Sequence, residues 1–111
     1  MDSSLYTKFT EIDIRVGKIL KVEEFPEAQN ASYKLTIDFG EELGTMKSSA
    51  QITNYMIDEL SNRLCVAIVN LGEKQIGPFI SECLILGSVD INGEVLLLEP
   101  DSGANLGDRI S

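Results

Sequence analysis

The chain has no histidine and no tryptophan among its 111 residues, and only two cysteines and three prolines. The missing histidine removes the commonest general base and the commonest transition-metal ligand at once. Two cysteines with no histidine fall short of the four ligands a structural zinc site takes. No apolar run approaches the roughly 20 residues of a membrane-spanning helix. Nor does the opening MDSSLYTKFTEID place a basic segment before an apolar one, as a secretory signal would. A cytoplasmic location is the expectation that follows. Basic residues are scarce too: 9 against 18 acidic ones, for a formal net charge of −9. An acidic whole repels a polyanion at long range and favours cationic partners, such as basic polypeptide segments. That argues against non-specific nucleic-acid binding, which rests on neutralising phosphates, while leaving room for a local basic face.

What is present is a globular composition. With 43% apolar residues the chain has enough to build a core, and its length fits one domain over residues 1–111. The strongest pattern lies between Ile12 and Gly40. Ile12, Ile14 and Val16 alternate with Asp13 and Arg15, then Gly17 interrupts, and apolar positions resume at Ile19, Leu20 and Val22. After a loop containing Pro26 and Asn30, Tyr33, Leu35, Ile37 and Phe39 alternate with Lys34, Thr36 and Asp38. Period-two alternation marks strands with one buried face. The break at Gly17 predicts a bulge or bend in a long first strand, of the kind that lets one strand serve two sheets.

Further along, Glu41 to Gly44 predicts a turn and Thr45 to Ala50 a short third strand. The segment TNYMIDEL predicts a short helix, capped by Thr53 or Asn54, with Tyr55, Met56, Ile57 and Leu60 turned inward. Leu64 to Leu71 reads as a central strand and CLILG as a fifth. Asn92-Gly93 marks a hairpin turn before a strand in Glu94 to Glu99. Gly72 to Phe79 reads as a polar connecting segment, and Met1 to Thr10 as a lead-in whose Leu5, Tyr6 and Phe9 either anchor it or fray. The expected fold is all-β: a five-stranded Greek-key barrel of the OB type, with a short helix between strands 3 and 4 and a C-terminal hairpin extension. A different small β-barrel is the alternative. Cys65 and Cys83, set in apolar strand-like runs, are expected to be buried core residues.

Catalytic chemistry finds little footing. The carboxylate neighbours Glu23-Glu24, Glu41-Glu42 and Asp58-Glu59 are adjacent in sequence, and adjacent strand residues point to opposite faces. Ser48, Ser49 and Ser81 have no histidine to activate them; a serine–lysine pair with Lys47 or Lys74 is the remaining arrangement. Asp38-Phe39-Gly40 spells a kinase triplet without the other kinase motifs. The chain reads as a binding protein with no catalytic residue, metal or cofactor. One polar cluster could form a ligand surface: Ser48, Ser49, Gln51, Asn70, Lys74, Gln75, Ser81 and Glu82, beside apolar Phe79 and Ile80. The same residue types also cap strand ends, so pattern alone leaves both readings open.

From Phe9 onward the chain resembles the tRNA-binding-domain family of OB folds, and within it the branch of export-related CsaA-like chaperones. FTEIDIRVGKI, FPEA, YKLTIDFG, SSAQIT, VAIVNL, KQIGPFISE and EVLLLEPD carry the resemblance. It implies a homodimeric OB barrel with its core over about 10–88 and with terminal segments 1–9 and 89–111 building the dimer interface. It implies a non-catalytic role: binding unfolded or preprotein polypeptide and assisting export, or binding tRNA by shape as in the wider family. Carried over by position, Ser48, Ser49 and Gln51 match the SSAQ segment, Asn70 ends the fourth strand, and Lys74, Gln75, Phe79, Ile80, Ser81 and Glu82 fall in KQIGPFISE; these border the expected polypeptide site. Two departures remove features of the family. Gln29, Asn30 and Ala31 follow FPEA where the family carries a basic pair and a proline, and Gly72 and Glu73 replace prolines. Both weaken an anionic partner more than a polypeptide one. Arg15, Lys18, Lys21, Lys34, Lys47 and Lys74 remain as the expected nucleic-acid surface.

Overall fold

A computed structural model describes all 111 residues, Met1–Ser111. The chain opens with a helix, α1 (Ser3–Glu11), where the sequence suggested a polar lead-in, anchored or frayed. Asp2 caps it: its carboxylate accepts hydrogen bonds from the Ser4 and Leu5 amides at 2.9 and 3.1 Å. With the Ser4 hydroxyl, these bonds hold the Asp2 carboxyl below its usual range. No residue of α1 is buried, and Leu5, Tyr6 and Phe9 are exposed, as is Ile12 just beyond.

The long first strand, β1 (Ile14–Glu24), serves two neighbours as expected. Its first half pairs with β4 (Leu64–Ile68) and its second with β2 (Tyr33–Asp38), both antiparallel. The irregularity that permits this lies at Leu20, between Ile19 and Lys21, and not at Gly17. The doubled apolar pair Ile19-Leu20 is its local sign, because one extra residue shifts the phase of a strand. Gly17 has another cause. A Cβ there would lie 2.6 Å from Ile37 Cγ2 and 2.8 Å from Phe39 Cε1, so the glycine lets two large core side chains approach the β1 backbone.

β3 (Thr45–Ala50) pairs with β2 over the predicted residues. α2 is short (Ile57–Leu60), and its start is fixed differently from the expectation: the Glu59 carboxylate reaches back to the Met56 amide at 2.7 Å, in place of a cap from Thr53 or Asn54. Leu60 alone of the four predicted inward residues is fully buried; Met56 is exposed. The segment read as a polar connection folds into a hairpin, β5 (Lys74–Ile76) and β6 (Phe79–Ser81), turning at Gly77-Pro78. The fifth barrel strand, β7, covers only Leu84–Ile85 of the predicted CLILG. A last hairpin, β8 (Gly87–Val89) and β9 (Val95–Leu97), turns at Asn92-Gly93 as expected.

The sheet order β3-β2-β1-β4-β7 is that of an OB barrel, nearly closed. The seam between β3 and the segment Ser81–Leu84 is held mostly through side chains. Ser48 Oγ donates to the Cys83 carbonyl at 2.9 Å, the Glu82 amide donates to the Lys47 carbonyl at 2.7 Å, and the Lys47 amide donates to Glu82 Oε1 at 3.0 Å. The C-terminal tail then returns to β1. The Val16 amide donates to the Asp108 carbonyl, and the Ile110 amide to the Ile14 carbonyl.

The core gathers Ile19, Leu35, Ile37, Phe39, Ile52 and Leu60, each essentially inaccessible to solvent. Cys65 and Cys83 lie in it, free and buried, as expected. Burial pushes both thiols up from 9.0 to about 12. In the unfolded chain they ionise near the ordinary value, so above that pH the unfolded state holds fewer protons than the folded one. The stability is therefore complete below pH 9 and declines from there towards about 12, by about 1.4 kcal/mol per pH unit for each thiol. Urea titrations across this range should show the decline, and a Cys65→Ala/Cys83→Ala variant should lose it. An unchanged slope in that variant would assign the alkaline loss to other groups.

Candidate functional site

A groove of about 710 Å3 opens where the C-terminal end of β3, the loop after β1 and the β5–β6 hairpin meet. Ser49 and Gln51 form one wall, and Lys74 and Gln75 another. The loop after β1 supplies Glu27, Gln29 and Asn30. Ile52, Ile76, Leu84, Ile85 and Val95 provide the apolar lining. Its size is that of a ligand cleft. One acidic and one basic side chain face it, and four amides stand around them. Such a surface suits a ligand carrying both hydrogen-bonding groups and aliphatic side chains, and it does not concentrate charge of either sign.

Of the ten residues the sequence nominated for polypeptide, Ser49, Gln51, Lys74, Gln75 and Ser81 line this groove. The others lie elsewhere. Ser48 is wholly buried and spends its hydroxyl on the barrel seam. Glu82 is engaged there too, with Lys47. Phe79 turns to the loop after β1, where its ring meets Phe25 edge-on at 5.4 Å. Ile80 is exposed, opposite Gln75 in the hairpin, and does not line the groove. Asn70 is a clip for α1: its Oδ1 accepts from the Asp13 amide and its Nδ2 donates to the Glu11 carbonyl, both at 2.8 Å. The loop residues Glu27, Gln29 and Asn30 were not legible as site residues, since only the tertiary fold brings them opposite the hairpin.

Asn70→Ala should release α1. Two hydrogen bonds disappear at a partly hydrated site, for a cost of about 1–2 kcal/mol. Hydrogen exchange should speed up at the Asp13 amide and through α1, with groove amides unaffected. Unchanged exchange in α1 would show that other contacts hold the helix.

The basic residues separate in the same way. Arg15 is tied down by Asp13 at 2.6 Å and donates to the Gly107 carbonyl at 3.0 Å, which fixes the tail. Lys74 belongs to the groove. The other four share one face. Register sets Lys21 beside Thr36 and Thr36 beside Lys47; Lys34 stands between Glu23 and Ser49; Lys18 faces Asp38. These are the outward positions of β1, β2 and β3, because their neighbours Leu35, Ile37 and Ser48 are the buried ones. Lys34 Nζ also sits 5.6 Å from the centre of the Phe25 ring.

A family profile described as "Putative tRNA binding domain" matches residues 14–109. The chain belongs to this family. Its members include relatives that differ greatly in length. The chain is 32% identical over 105 residues to a methionine–tRNA ligase of Pyrococcus furiosus, covering 95% of this chain but 14% of the ligase. It thus spans about one-seventh of the length of such ligases. Solved structures match end to end. The CsaA chaperone protein of Picrophilus torridus superposes with a TM-score of 0.91 at 52% identity, covering 96% of this chain and 97% of that one. The chaperone CsaA of Bacillus anthracis gives 0.89 at 42% identity, with 96% of each chain covered. The tRNA-binding-domain fold therefore occurs here in the compact form seen in CsaA chaperone structures. No helix in it is long and apolar enough to cross a membrane.

Proposed function

We propose that this protein is a non-enzymatic CsaA-like chaperone that holds extended polypeptide in the groove between β3 and the β5–β6 hairpin, and that it acts in the cytoplasm on preproteins bound for export. The observation that carries this reading is the match to CsaA chaperones over 96% of the chain, with nearly the whole of each partner covered. The groove supports it: its amides and hydroxyls can satisfy a peptide backbone, and the aliphatic lining can take apolar side chains. The net charge of −9 favours basic segments. The protein is a homodimer in this reading. The exposed apolar side chains of α1 and of the β8–β9 hairpin, Ile91 and Val89 among them, provide surface for a second copy. Two grooves on one dimer would bind a long client with avidity.

A second reading has its own observation. Lys18, Lys21, Lys34 and Lys47 share the outer face of β1–β2–β3 in a family described as binding tRNA, so this face would take phosphates.

Fluorescence anisotropy separates the two. An unstructured basic preprotein segment and a folded tRNA are titrated at low and at physiological salt. Peptide binding that survives physiological salt while tRNA binding is lost is the expected result. Tight tRNA binding with a steep salt slope and no peptide binding would replace the first reading by the second.

A further inference from the structure

β3 is the outer strand of the five-stranded sheet, so one of its edges carries backbone groups that no neighbouring strand takes. Alternation assigns Lys47 and Ser49 to that edge, since theirs are the amides that reach Glu82 and Ser81. Side chains cover the edge through the Ser49 amide, which donates to Ser81 Oγ at 3.2 Å. There the cover stops. The next groups along the same edge are the Ser49 carbonyl and the Gln51 amide, on either side of Ala50. The Gln51 amide has no partner in the chain, and both residues wall the groove.

This spacing carries direction. In an antiparallel pair, the two ladder bonds of a site use the amide and carbonyl of a single residue; in a parallel pair, they use the carbonyl of one residue and the amide of the residue two further on. The Ser49 amide is occupied, which disfavours an antiparallel site at Ser49, the last residue of β3 whose backbone groups face this edge. The free Ser49 carbonyl and Gln51 amide are the set that one residue of a parallel strand would bridge.

We infer that the groove captures its polypeptide by parallel strand addition to β3, the guest running in the direction Thr45 to Ala50, with the Ser49 carbonyl and the Gln51 amide as its backbone partners. This rests on the polypeptide reading above and specifies its mode. Backbone bonding of this kind is indifferent to sequence, and pockets for alternate side chains supply what selectivity there is. A guest residue bridging Ala50 turns to the face that Ala50 shares with Ile52 of the apolar lining, and its two neighbours turn to the face of Ser49 and Gln51. An exposed strand edge is a hazard that proteins ordinarily cover, and here the cover ends where the groove begins.

The test uses the 15N-labelled full chain and an unstructured basic preprotein segment carrying a spin label at one end or the other. The Gln51 amide should exchange at least tenfold more slowly when the segment is bound. A label at the guest's C-terminus should broaden amides near Thr53, and one at its N-terminus those near Lys47. Binding without protection of the Gln51 amide would overturn strand addition and leave the polypeptide reading standing. Protection with the reverse broadening pattern would overturn the parallel direction. No binding of the segment at all would overturn the polypeptide reading and this inference with it.

Discussion

Phe39→Ala is expected to cost about 3–5 kcal/mol, a large part of the roughly 5–15 kcal/mol that holds a domain of this size together. Phe39 is fully buried at the end of β2. Its ring covers Gly17 of β1, where even a methyl group would come within 2.8 Å of Cε1. Its carbonyl lies against Gly107 of the returning tail, where a Cβ would approach within 2.7 Å and φ is +89°. Its amide donates to the Gly44 carbonyl at 2.9 Å, closing the turn into β3. Truncation therefore leaves a cavity at the junction of β1, β2 and the tail, and backbone on two sides limits collapse into it. Urea unfolding should show a midpoint shift with an unchanged slope. A loss under about 1 kcal/mol would mean that the site relaxes and that Phe39 does not organise the junction.

Gly17 is the other half of the same packing. Gly17→Ala should cost about 1–3 kcal/mol through overpacking against Phe39 and Ile37. In the background of Phe39→Ala the ring is gone, so part of that cost should vanish. The double variant should therefore lose less stability than the two single variants together, as residues that touch do.

What the sequence revealed of this architecture follows the range of the forces involved. β2 and β3 were readable because Leu35 and Ile37 alternate with Lys34 and Thr36 on a half-buried sheet, and because turn residues flank both strands. α1 was harder to read: Leu5, Phe9 and Ile12 stand at the i, i+4, i+7 spacing of a helix and Asp2 can cap it, but the run is short, and its apolar residues stay exposed in the chain. The β5–β6 hairpin has only three residues on each side of its turn, too few for a period to show. The candidate site was half legible. Gln51, Lys74 and Gln75 stand out as polar residues beside strands and do line the groove, but Asn70 has the same local look and is a clip for residues 57 and 59 positions away. A polar side chain that binds a ligand and one that binds distant backbone are chemically identical in sequence. Only the fold separates them.

The lysine face offers the second large effect. In Lys21→Glu/Lys34→Glu/Lys47→Glu, three outward positions on adjacent strands reverse charge. Each phosphate that is no longer neutralised lowers the salt slope of tRNA binding by about 0.9, so the slope should fall by about 3, and affinity at low salt on the order of a hundredfold or more. The fold should tolerate the change. Lys21 is largely exposed and its 3.7 Å pairing with Glu23 is a surface ion pair of little worth. Lys34 gives up a cation–π interaction with Phe25, about 0.5–1 kcal/mol. Lys8→Glu, on α1 and off this sheet face, serves as the control: it changes net charge and should leave the phosphate face intact. A triple variant with an undiminished salt slope would remove this face as a phosphate surface. A matching drop in the Lys8 control would show a long-range effect of net charge, with no local site. If the triple variant loses tRNA and keeps peptide, the two ligands use separable parts of one barrel: the phosphate face on the strands, and the polypeptide groove at the edge where β3 runs out of partners.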